Sequence, residues 1–580
     1  MANILDFSVN TLTPTGTDKI LTVSEDSYGH ETLDSIKTYA QGDLPTRLTT
    51  AEGKVTTLET SKADASTVYT KTEVDSKDSA LDSRITALEN QHKIKWWGLD
   101  MNENTGAFTR IGSDVSLMTF VNAPEDSDAE GPVKVTSGFD SLYPWCAIRQ
   151  CKMDNYGHIL AYYEDSWYSG VDGDYMTELP LTYYAEFKVM VDGVKHHVLA
   201  VSGSDYATAE LSALYGEALE GSKTFAPEKI FVRPNGTIAP HAYIARVFAD
   251  SNYTSKPDTA PINNSGVDIR TNTASKGDGL WCSYDAMMRT LLVHLMAIEA
   301  GQFDVKKTYG QGVNSAGFVW SKQNPITVAT ENQSYVIVAN STANKFTVGL
   351  DVCIATSYSG KTYRGTITAI ETYDDSNKKL TLDCDPITVT TDYDVHAMEQ
   401  IVTASMMDAF GTNSSGWYKR GARQNYRSNV CYRGIWDLWG NLYQWVDGLM
   451  SGGSSSDYLY LCFDQSKYKN ANSTPVGQDG WINTQTNILV NNGWQKTLGL
   501  CDGVHIPESI GGGAYTYASA YSYYFGSDSY WHTAARLLVG GGGFCYYGGG
   551  VSPLCVDGHY APSGRGFDLA SRFIRQNLGV

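Results

Sequence analysis

Basic charge is scarce in this 580-residue chain: 44 Lys and Arg stand against 64 Asp and Glu, for a net charge of −20. Binding to phosphate backbones needs clustered Lys and Arg, so nucleic acid is excluded as a partner, and an anionic membrane surface with it. No window approaches about eighteen consecutive apolar residues, so no helical membrane span is expected. The opening MANILDFSVN has no basic stretch followed by an apolar one, and no secretory signal is expected there. The 10 cysteines include no CxxC pair and no histidine at zinc spacing. They read as free or buried thiols of a reducing compartment, not as a disulfide framework. The glycine run of GGGGFCYYGGG (540–550) is not followed by G-K-[S/T] or by a helix-forming stretch, which rules out a phosphate loop.

Tyrosine, in contrast, is abundant, at 38 against 17 phenylalanines. Its apolar body and polar tip suit half-wet recognition surfaces better than deep cores. The length predicts three or four domains, and 42% hydrophobic residues with 12% aromatic predict that most of the chain folds. After a leading segment, 1–43, the 4-3 spacing of Leu44, Leu48, Ala51, Val55, Leu58, Lys62 and Ala65 makes a coiled-coil seam. The seam resumes at Leu81, Ile85, Leu88 and His92, giving a short oligomeric shaft over 44–93. Over 94–280, alternating runs such as YYAEFKVMVDG and KIFVRPNG end on Asp-Gly or Asn-Gly, which predicts a β-rich domain of hairpins. His196 and His197 point to opposite faces of such a strand and are not expected to chelate one metal.

The run 281–301 predicts a helix with an apolar stripe of Met288, Leu291, Leu292, Leu295 and Ile298, closed by Gly301. His294, set among these residues, reads as a core histidine with its own partner, not as a ligand. Over 325–397, alternating Val, Ile and Thr predict a small β-module inserted into the surrounding domain. The segment GIWDLWGNLYQWVDGL (434–449) reads as an aromatic core stretch whose Gly440 permits a sharp turn.

Three stretches carry a resemblance. KADASTVYTKTEVDSK (62–77) looks like a segment that recurs in bacteriophage tail-fibre and baseplate proteins. GIWDLWGNLYQWVDGL resembles the G-N-V-W-E-W signature of the formylglycine-generating-enzyme type of C-type lectin fold. Residues 536–573 resemble its closing segment, through Gly540-Gly541, Ala561-Pro562-Ser563 and Ala570-Ser571-Arg572, where alanine replaces the usual glycine. Within that fold the chain is most similar to the variable proteins of diversity-generating retroelements, particularly phage receptor-binding tail proteins.

The resemblance implies a multidomain α+β protein. Its parts are a virion attachment segment (1–43), the coiled-coil shaft, the β-rich domain and a C-type-lectin-like receptor-binding domain (281–324 and 398–580) with the β-module inserted. In such families, copying errors at adenines turn AAY codons into NNY, which cannot encode Lys, Glu, Gln, Met or Trp. None of these five types occurs over 533–575. The implied displayed, variable residues are Phe544, Cys545, Tyr546, Tyr547, Ser552, Pro553, Cys555, Asp557, His559, Tyr560, Arg565, Phe567 and Asp568. The implied framework is Trp436, Gly440, Asn441, Trp445, Gly540, Gly541, Pro562 and Arg572. A second aromatic run, 511–532, either rims the same site or packs on a neighbouring subunit.

The implied function is adhesion without chemistry: a homotrimeric virion protein at the tail tip or fibre, assembled in the bacterial cytoplasm. It would hold other tail proteins through its N-terminus and bind a bacterial surface protein or glycan. No catalytic residue, cofactor or metal is expected. Two rival readings are a polysaccharide-degrading tail enzyme and a thiol oxidase using Cys545 and Cys555. The first would need paired carboxylates across a sugar, and parallel β-helix rungs are missing. The second lacks the flanking residues of such an active site.

Overall fold

In the computed structural model the described residues are 19–24, 27–32, 95–122, 130–215, 223–313, 324–357, 362–421, 428–453, 456, 458–487, 493–511, 524–526, 537–540, 553, 556–557, 560–565 and 569–576. The chain divides into two compact units, 1–87 and 88–580. In the first, strands Lys19–Ser24 and Ser27–Thr32 pair as an antiparallel hairpin. The coiled-coil shaft expected over 44–93 lies outside the described residues.

The second unit is β-rich, with several of its sheets packed around a long central helix. That helix, Ala286–Ala300, begins on Asp285, whose side chain accepts from the Met288 N–H, and ends at Gly301 in the left-handed region at φ 75°. The apolar stripe read from the sequence understates it, because every residue from Ala286 to Glu299 is buried. Its polar residues are accordingly partnered, as buried polar groups must be. Glu299, for example, takes Arg433 through both oxygens at 2.7 and 3.0 Å.

Around the helix lies one continuous core drawing on four sheets. A five-stranded sheet contributes Trp97, Leu99, Leu199 and Val201; a six-stranded sheet contributes Leu179, Ala242 and Ile244. A four-stranded sheet adds Val430, Tyr432 and Ile435, and a nine-stranded sheet adds Val446, Leu449, Leu459 and Leu461. The Asp192-Gly193 signal makes the expected two-residue turn, with φ of 50° and 79°, between strands Tyr183–Val191 and Val194–Ser202. KIFVRPNG does not form the expected strand. Lys229–Phe231 is a single 3-10 turn, and only a bridge between Val232 and Ile238 flanks the Asn-Gly turn.

Leu280 is not a boundary in this fold. In the six-stranded sheet, strand Phe573–Gln576 lies between Trp281–Ser283 and His241–Ala245, followed outward by Asp174–Pro180, Arg149–Met153 and Ile159–Tyr162. Residues on both sides of 280 therefore share a sheet and a core. The segment 326–397 has its own six-stranded sheet, a two-stranded one and its own core, which includes Val336, Val352, Ile367 and Leu380.

Candidate recognition surface and its frame

The strand Tyr443–Ser451 organises the C-terminal segment, and all nine of its residues are buried. At Gln444 it pairs antiparallel with Gly540 on one edge and parallel with Ala570 on the other. The chain thus meets the same point of one strand twice, at Gly540 and again at Ala570. Its only described ladder within that span is Val556–Asp557, which joins Val539–Gly540 and Phe525–Gly526.

Arg572 fixes the return. Its buried guanidinium donates from Nε to Gln444 Oε1 at 2.9 Å, from Nη1 to the Ala245 carbonyl at 2.5 Å and from Nη2 to the Trp436 carbonyl. It also lies over the Phe248 ring at 5.0 Å. Burial pulls this group down to about 10, with Asp437 acting in the opposite direction. One planar fork thereby ties strand His241–Ala245 to two points of the 434–449 segment, as a lysine could not.

The turn before Tyr443 is held just as tightly. Gly440 has φ 81°, and a Cβ added at Gly312 would come within 2.5 Å of its Cα, so two backbones meet there without side chains. Asn441 donates to the Gln400 carbonyl and to Asp437 Oδ2, both at 2.7 Å, and accepts from the Gln400 N–H at 3.0 Å. Asp437 is pushed up to about 6 by burial, against the hydrogen bonds from Asn441 and Asn429. Trp436 packs edge-on against Phe410, and Trp445 donates to the Asn264 carbonyl at 2.8 Å. Trp436, Asn441, Trp445 and Arg572 are all buried, and Pro562 is buried with its carbonyl accepting from the Val267 N–H.

Helix Gly266–Ala274 borders this frame and went unremarked in the sequence, although Ser265 and Asp268 form a capping box there. A Cβ at Gly266 would meet Leu537 Cδ2 at 2.3 Å and Trp445 at 3.3 Å, so the helix start sits directly on the strand pair. Asp268 pairs with Arg565 at 2.7 Å, and Arg565 remains 62% exposed. Arg270, on the same helix, forms a two-pronged buried pair with Asp447 at 2.8 and 2.5 Å. Beside them is a cleft of about 410 Å³ reached by Arg270, Asp447, Trp281, Gln465 and Tyr468. Cys282 lines it too, its thiol pushed well up by burial.

Among the expected displayed residues, Arg565 is exposed and Asp557 lies on its short strand. Tyr560 is half-buried, with its ring edge-on to Trp445 at 6.1 Å, so it is part rim and part frame. Pro553 is buried and is not a displayed residue. Phe544, Cys545, Tyr546, Tyr547, Ser552, Cys555, His559, Phe567 and Asp568 lie outside the described residues, as does Gly541 of the framework; Gly540 ends strand Leu537–Gly540. Of the aromatic run 511–532, the backbone of Gly511 and Tyr524–Gly526 is described.

His196 and His197 do face apart. His196 lies 2.7 Å from Asp100, and buried His197 lies 2.6 Å from Glu186. His294 is a partnered core histidine, placed between Glu228 and Glu186. Its neighbours could not be found by spacing, since they come from residues 66, 108 and 211 positions away.

No family model matches the chain, and no curated protein matches it.

Proposed function

We propose that this protein is a receptor-binding adhesin of a bacteriophage tail, carried on the virion as a homotrimer and joined to other tail proteins by its N-terminal segment. In this reading, 281–324 and 398–580 form a C-type-lectin-like domain that also takes in the strands upstream of 280 sharing its sheet. The module 325–397 is its insertion, and a bacterial surface protein or glycan is its ligand. The observation that carries the reading is the return of the chain to Gln444: a segment fastened at both ends to one buried strand tolerates varied residues between the fastenings. The absence of Lys, Glu, Gln, Met and Trp over 533–575 adds a reason to read that variation as templated. Tyrosine and phenylalanine supply rigid contact area there at low rotamer cost, and three copies per tip add avidity.

The test uses the full chain with Phe544→Ala, Tyr546→Ala and Tyr547→Ala combined. Host-cell adsorption should be lost while stability stays within about 0.5 kcal/mol of wild type, as for surface positions. A large loss of stability would show that these rings are core. Deep sequencing of codons 530–580 in a growing phage population should find substitutions clustered over 542–571 at template adenines. A region as uniform as codons 430–450 would remove diversification from the reading.

A further inference from the structure

Independently of that reading, we propose that Glu186, His294 and His505 bind a divalent first-row transition ion on one octahedral face, which locks the hairpin Gly493–Cys501/Val504–Gly511 onto the central helix. The three donor atoms converge on one point. Glu186 Oε2 lies 2.9 Å from His294 Nε2 and 2.8 Å from His505 Nε2, and the two Nε2 atoms are 3.1 Å apart. Ligands about 2.1 Å from a common metal and at right angles to one another are separated by about 3.0 Å, the edge of an octahedral face. Hydrogen bonding alone serves this arrangement poorly. The three contacts cannot all be hydrogen bonds: either both imidazoles donate to the same carboxylate oxygen and face each other donor to donor, or one contact is left lone pair to lone pair. A cation accepts the lone pairs of all three.

The surroundings are those of a metal centre. His294 Nδ1 lies 2.5 Å from Glu228 Oε1, the carboxylate backing that sets the tautomer of a ligating histidine. The second oxygen of Glu186 is taken by His197 Nε2 at 2.6 Å, which leaves Oε2 as the single inward ligand atom. Tyr184 lies against His294 at 5.4 Å and Phe303 stacks on His197 at 5.6 Å, closing the group off from water. Glu186 and Glu228 are both buried, and two carboxylates in a core are costly unless positive charge lies beside them. A divalent ion balances both. Arg289 donates from one Nη to the His505 carbonyl at 3.0 Å and so holds the hairpin at this point. Since the three ligands stand on a strand, a helix and a second strand far apart in sequence, the ion would fasten the fold together.

Full-length protein purified without an affinity tag or chelator should contain one equivalent of a first-row transition metal per chain by elemental analysis. After stripping, Co²⁺ should restore visible d–d absorption at one equivalent, and Zn²⁺ should raise the melting temperature. Glu186→Gln and His505→Gln should abolish the Co²⁺ bands. Glu228→Gln should keep them with affinity reduced about 10- to 100-fold, the usual effect of losing an outer partner. The proposal is overturned if wild type gives neither bands nor a Zn²⁺-dependent melting shift, or if bands survive in the Glu186 and His505 variants. If those two variants fail to fold, Glu228→Gln decides, and unchanged Co²⁺ affinity overturns the proposal.

Discussion

Asp285 caps the central helix from inside the core: Oδ1 accepts from the Met288 N–H at 2.8 Å, and Oδ2 from Gln465 and from the Tyr468 hydroxyl, each at 2.8 Å. Burial pushes its carboxyl up to about 6 from 3.8, in spite of those donors. A folded-state value above the unfolded one means stability that is complete below about pH 4 and lost as pH rises through 6. The shift of about two units corresponds to about 3 kcal/mol. The difference in unfolding free energy between wild type and Asp285→Asn should therefore move against wild type by up to that amount between pH 4 and 7. Urea titrations across the range would measure it, and a flat difference profile would contradict it. Tyr560 gives a second expectation at this scale. Its contact with Trp445 should make Tyr560→Ala lower stability by about 1–2 kcal/mol, in contrast to the three aromatics of 544–547. Thermal melts of the two variants side by side would read this. The framework tryptophans were legible in sequence because large aromatics beside a turn glycine have few places to go but a core. Pro553 sits in a buried turn, and the polar and glycine-rich composition around it does not encode that burial.

The strand Tyr443–Ser451 and the arginine that locks it belong to the scale of elements. Arg572→Lys keeps the charge and loses the fork, so at least two of the three acceptors would be left without donors inside the core. Each buried group abandoned in this way costs about 1–3 kcal/mol, and a total loss of about 2–4 kcal/mol is expected from chemical denaturation. A loss under about 0.5 kcal/mol would mean that the guanidinium does not fasten the segment. Elements governed by short-range rules were the legible ones. The helix Ala286–Ala300, its Gly301 terminus and the Asp192-Gly193 hairpin were read from spacing and turn chemistry alone. Lys229–Phe231 was not. The apolar alternation of KIF satisfied the strand pattern, but the segment finds no partner strand and instead buries Ile230 and Phe231 from a single tight turn. Helix Gly266–Ala274 was missed for a related reason. Its sequence GVDIRTNTA has little amphipathic pattern, and it is held by a capping box and the Arg270–Asp447 pair.

For the whole molecule, the partition at 280 failed where the fold is most non-local. Six strands from three stretches of sequence form a single sheet, and no window of sequence reports that Phe573–Gln576 will sit between Trp281–Ser283 and His241–Ala245. The pattern changes at 280 from short strands to a long helix, yet that helix packs against residues from both sides. The same non-locality hid the Glu186, His294 and His505 cluster, although His294 itself was visible as an odd residue in an apolar helix. The position of Phe573–Gln576 has a consequence for biosynthesis. A ribosome must release almost the entire sequence before that strand is free of the exit tunnel, so the sheet around it closes only after translation has passed residue 576. Any frameshift introduced upstream replaces the strand and Arg572 with it, and the product lacks the piece that joins early and late parts of the chain. A substitution between Gly540 and Leu569, in contrast, leaves the closing strand and Arg572 in the sequence.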